Sequence, residues 1–97
     1  MAVMVVHHTP SLTRERYETV VRGLTNGMPR LESPADVPTD GLLVHVAAET
    51  EDGFMIFDVF ESQDAFDRFA AVASPIATEA GIEVPPRSYP AHTFISV

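Results

Sequence analysis

His45 and Asp58 are the residues of this 97-residue chain whose types and surroundings could do chemistry. Each is the lone polar side chain in the middle of an apolar run, GLLVHVAAE at 41–49 and GFMIFDVFE at 53–61. A buried polar group left unpaired costs about 1–3 kcal/mol, so each needs a partner. The polar stretch Thr50, Glu51, Asp52, Gly53 joins the runs into a hairpin. In one register His45 lies opposite Asp58. Shifted by one residue, His45 faces Phe57 and Asp58 points away, and a bulge in the turn allows either. If the two meet, the carboxylate holds the imidazole in one tautomer. The ring can then take a proton from a phenol or an enolisable ketone. The resulting anion can react with oxygen, rearrange or cyclise without a cofactor. The other reading is a satisfied core or interface pair with no chemistry.

The remaining polar candidates carry less. His7 and His8 are adjacent on a strand, so alternation sends them to opposite faces and at most one reaches a cavity. Neighbouring histidines on a strand make a poor chelate, and no metal site is expected. Tyr89 can donate a hydrogen bond to a substrate oxygen or serve as an amphipathic edge residue, and His92 follows at opposite parity. Phe54, Phe57, Phe60, Phe66 and Phe69 either line a pocket for an aromatic ligand or form plain core. Ser74 lacks a Gly-x-Ser-x-Gly setting, and no glycine-rich phosphate loop is present, which argues against hydrolase and nucleotide chemistry. Absence of cysteine excludes thiol nucleophiles, disulfides and thiolate metal sites, and absence of lysine excludes Schiff-base catalysis.

These side chains must be positioned by short elements. Ala2 to His8 reads as a valine-rich strand buried on both faces. Thr13 caps a helix starting at Arg14, whose Tyr17, Val20, Val21 and Leu24 share one face. Asn26-Gly27 ends it. The proline-bearing stretch 27–40 is a loop, either a cover over a site or a passive connector. The two hairpin strands follow. Ser62 caps a second helix, with Phe66, Phe69, Ala70, Ala73, Ala77 and Ala80 on one face, a kink expected at Pro75 and a stop at Gly81. Arg87 to Val97 reads as a last strand, and Pro90 puts it at a sheet edge or a bulge.

The order is β-α-β-β-α-β in one α+β domain, ferredoxin-like, with an antiparallel sheet. Two helices cover only one face of four strands, yet both faces of the hairpin are apolar. By simple alternation Leu42, Val44, Val46 and Ala48 line one face, and Leu43, His45 and Ala47 the other. A second copy of the chain is the simplest cover for the helix-free face, and a larger hetero-assembly is the other. Net charge −8 argues against nucleic-acid partners. No run approaches the roughly 18 apolar residues of a membrane span, and no signal peptide is visible, so a cytoplasmic location is expected.

The stretch GFMIFDVFESQDAFDRF, supported by AVMVVHHTPSLTRERYETVV, GLLVHVAAE and SYPAHTFISV, resembles the dimeric α+β barrel superfamily and, within it, the antibiotic-biosynthesis-monooxygenase-like proteins. The resemblance implies a ferredoxin-like chain whose sheet packs on a partner's sheet. It also implies a ligand between the sheet and the helices or loops. The activities it implies range over cofactor-free oxygenases, haem-degrading enzymes, isomerases and cyclases. Phe69 stands where many members have a histidine, and tryptophan is absent, which points away from haem degradation most and from cofactor-free oxygenation to a lesser degree. The expected protein is a cofactor-independent tailoring enzyme for a small hydrophobic or aromatic metabolite, a non-catalytic binding dimer of the same fold, or a structural dimer without a small ligand, which a cavity too small for a ligand would favour. His45 and Asp58 are its expected catalytic pair; His7, Phe57, Tyr89 and His92 are its expected substrate contacts.

Overall fold

The computed structural model describes residues 1–96. Its elements are β1 (Val3–His7), α1 (Arg14–Thr25), a single 3-10 turn (Pro34–Asp36), β2 (Leu42–Thr50), β3 (Gly53–Phe60), α2 (Gln63–Glu79) and β4 (Arg87–Pro90). The strands form one antiparallel sheet in the order β2-β3-β1-β4. This α+β arrangement is compatible with a ferredoxin-like fold.

Local chemistry starts both helices. The Thr13 hydroxyl accepts the Arg16 backbone N–H, and Ser62 Oγ accepts that of Ala65. Asn26 closes α1 with φ 65°, and Gly81 follows the end of α2 with φ 97°. Arg16 ties the two ends together, donating to the carbonyls of Ser11 and Gly81 at 3.0 and 3.2 Å. Helix α2 runs through Pro75 as one element.

Two buried clusters lie between sheet and helices. One joins Val3, Val5, Leu42, Phe60 and Phe66; the other joins Leu12, Tyr17, Val21, Phe54 and Ile82. Leu31, from the long loop, packs against both. Phe60 is fully buried and meets Phe66 edge-on at 5.4 Å.

Three expectations change. The β1 strand is buried only through Val3, Val5 and His7; Met4 and Val6 are half-buried, because no element of the described residues covers the second face. On β2 the alternation breaks. Leu42 pairs with Phe60 and Val44 with Val59, leaving Leu43 as an extra residue. This bulge lets Leu42 share the helix-facing side with His45 and Ala47, while Val44 and Val46 face away. The last strand stops at Pro90 instead of reaching Val97. Pro90 has no N–H to give, and the ladder to β1 ends after the Ala91 N–H bonds the Ala2 carbonyl at 2.9 Å. Val97 lies outside the described residues.

The far face of the sheet carries Val6, Val46, Phe57 and Tyr89, with Val46 51% and Tyr89 43% exposed. No helix among the described residues is long and apolar enough to cross a membrane.

Candidate acid-base site

The hairpin decides the site. Thr50 pairs with Gly53 across the two residues Glu51 and Asp52, and this register sets His45 opposite Asp58. His45 Nδ1 donates to Asp58 Oδ1 at 2.6 Å. In the neutral imidazole a carboxylate on Nδ1 leaves Nε2 as the acceptor, and the Tyr17 hydroxyl donates to it at 2.7 Å. The result is a chain Asp58–His45–Tyr17 that links β3, β2 and the first turn of α1. The Tyr17 and His45 rings lie within 10° of parallel, and Phe54 braces Tyr17 from 5.0 Å.

Tyr17 joins the site although its sequence reading went no further than the apolar face of α1. The available signal was that it alone on that face bears a hydroxyl, which needs a partner when buried. Removal from water, with the negative charges of Asp58 and Glu18 adding, pushes its phenol up to about 12. Tyr17 is therefore a neutral donor throughout the physiological range. An alkaline titration followed by tyrosinate absorbance should show a step near pH 12 that Tyr17→Phe removes. A Tyr17 step near 10 would mean that the hydroxyl is not held in this chain. Because the unfolded phenol ionises near 10, the native state should also lose stability as pH rises from that value through about 12.

His7 lies on the same side of the sheet and is buried. Its Nε2 donates to the Val84 carbonyl at 2.6 Å, which anchors the segment ahead of β4. Burial lowers its pKa, only partly offset by the Val84 carbonyl and the Asp58 charge. It is thus a neutral wall group, of opposite tautomer to His45.

The spaces around the site differ in character. A partly open cavity of about 90 Å³ lies between sheet and helices, lined by His7, His45, Asp58, Tyr17 and apolar side chains of both helices. It is far below the roughly 300 Å³ at which ligand pockets begin, and suits a few waters or a small group. An open cleft of about 370 Å³ lies on the solvent side of Tyr17 and His45, between α1, the loop at Pro29–Leu31 and the hairpin. A second groove, about 320 Å³, runs from His45 along Leu42–Val44 and residues 31–34. His45 and Leu31 border all three spaces. Residues of the loop thus wall all three spaces beside His45.

The expected site residues separate. His45, Asp58 and His7 share one side of the sheet. Phe57 pairs with Val6 and Val46 on the far face, being one residue from Asp58. Tyr89 pairs with Met4, also on the far face. His92 is exposed beyond the end of β4. None of these three borders the cavity or the two clefts. Among the described residues no group of three histidines or carboxylates is placed to hold a metal ion. Compared with known proteins, the chain matches no family model, no curated protein and no solved structure.

Proposed function

We propose that this chain is a cofactor-independent enzyme that abstracts a proton from a small hydrophobic or aromatic metabolite, and that it works as a homodimer. The observation that carries the reading is the unbroken chain from the Asp58 carboxylate through His45 to the Tyr17 hydroxyl. A proton leaving a phenol or an enolisable carbon passes to Tyr17 Oη as the tyrosine's own proton moves to His45 Nε2. Asp58 supports the imidazolium that forms. Tyr17 then donates its new O–H to the substrate anion, and reversal of the transfer returns the proton. Net, one proton moves from substrate to imidazole, a first step shared by isomerases, cyclases and cofactor-free oxygenases. With only about 90 Å³ inside, the substrate body sits in the outer cleft and presents its reacting atom to Tyr17.

Hydrogen–deuterium exchange at the acidic carbon of phenylacetone and phenylpyruvate in deuterated water tests this. The protein should accelerate exchange, and His45→Ala should not. Binding of either compound without accelerated exchange would leave a non-catalytic small-molecule-binding dimer as the better reading.

The dimer, of the α+β barrel kind that the sequence resembles, is supported by the far face of the sheet. Apolar side chains from three strands, among them Val6, Val46 and Phe57, lie there with no helix over them. A second copy would cover them. Sedimentation velocity should give a dimer for the native chain and a monomer for Val46→Glu, because a charge at a side chain 51% exposed in one chain would be buried at the interface. A monomer for both would sink the dimer.

A further inference from the structure

We propose that the outer cleft selects a substrate carrying a carboxylate, held by Arg30, with the acidic proton turned toward Tyr17 and His45. The inference deepens the reading above and rests on it for the fate of that proton.

The chain has six arginines, no lysine and a net charge of −8, so its overall field repels anions. Two of those six arginines, Arg14 and Arg30, line the same cleft. They are not equivalent. Arg14 donates to Glu49 at 3.0 Å and to Glu18 at 3.5 Å, and both carboxylates also border the cleft. The charge of Arg14 is thus already offset by two carboxylates within the chain. Arg30, between Pro29 and Leu31 on the covering loop, is exposed and makes no side-chain hydrogen bond or ion pair among the described residues. It is the cleft cation whose charge no carboxylate of the described residues offsets.

The rest of the cleft suits an arene or alkyl body. Phe54, Ala47 and Leu31 supply apolar wall, and the polar end is Tyr17 with His45. The guanidinium fork matches the two oxygens of one carboxylate. Glu18 and Glu49 disfavour a more highly charged phosphate at the same place. A volume of about 370 Å³ falls at the lower end of the range for small-molecule sites, which fits a single ring with a short acid arm. The substrate class is therefore a small aryl or arylalkyl carboxylic acid with an enolisable or phenolic proton.

The test separates recognition from turnover by using a probe that cannot enolise. Affinities of 3-phenylpropanoate and its uncharged amide would be measured by NMR titration at neutral pH. The acid should bind about two- to fivefold more tightly, as expected for one exposed guanidinium–carboxylate pair. Arg30→Gln should abolish the difference, and Arg30→Lys should retain part of it. Tyr17→Phe should leave the preference in place. Failure of the acid to bind, equal affinity for acid and amide, or a preference that survives Arg30→Gln overturns the proposal. Acid preference without deuterium exchange on phenylpyruvate would retain the carboxylate site and refute proton abstraction alone.

Discussion

His45→Ala is expected to slow proton exchange at an enolisable carbon by about 10²–10⁴-fold, the range for loss of a positioned general base. The substitution removes the acceptor of the Tyr17 proton and the donor to Asp58 at once. Asp58, only 6% exposed, then loses its hydrogen-bond partner, and the cost in stability is about 1–3 kcal/mol. Rates must therefore be compared well below the unfolding midpoint of the variant and per folded molecule. A second variant separates chemistry from packing. Tyr17→Phe keeps the ring against Phe54 and removes only the hydroxyl. It should keep most of the fold and lose most of the exchange rate. If both variants lose stability but catalyse exchange as well as the native chain, the hydrogen-bonded chain is a core feature and the base lies elsewhere.

Gly41→Ala is the second large effect, and it falls on the frame of the site. Gly41 has φ 104°, where residues with a Cβ are strained. A Cβ there would sit 2.5 Å from the Cβ of Ala65, which is fully buried in the first turn of α2. Neither backbone can yield without moving the start of the helix. The strained dihedral and the overpacking together should cost about 3 kcal/mol or more, a large share of the roughly 5–15 kcal/mol of a small domain. Gly41 also accepts the Glu61 N–H at 2.8 Å, joining the start of β2 to the end of β3. Thermal and urea unfolding should both report the loss. A variant as stable as the native chain would show that the close approach of Gly41 to Ala65 is wrong.

The elements of this fold are legible in the sequence because each is signalled locally. Thr13 and Ser62 announce the helices, and valine-rich runs announce the strands. The pairing of His45 with Asp58 is legible only as one of two registers. What chooses between them is the geometry of the Glu51-Asp52 turn, and turn residues with tolerant dihedrals leave that open. Parity failed on β2 because a bulge at Leu43 has no residue signature of its own. Tyr17 was visible as a helix-face residue but not as a site residue. Its partner comes from another element, and only the packing of α1 over the hairpin brings them together. Phe57 could have been set aside from alternation alone, since it adjoins Asp58 and must point the other way.

The extra residue at Leu43 separates two parts of β2 that would otherwise move together. On one side of it, Val44 to Thr50 are locked in phase with β3 through the tight turn, and His45 with them. On the other side lie the loop that walls the cleft and the Arg30 it carries. Gly41 and Leu42 are tied to Glu61 and Phe60, so a change in loop length ends at that anchor and leaves His45 on its side of the sheet. The part that would choose the substrate and the part that would move the proton are thus separately adjustable. Loop insertions, deletions or exchanges between residues 27 and 40 form the natural library for changing what the proposed site accepts while His45 stays in place.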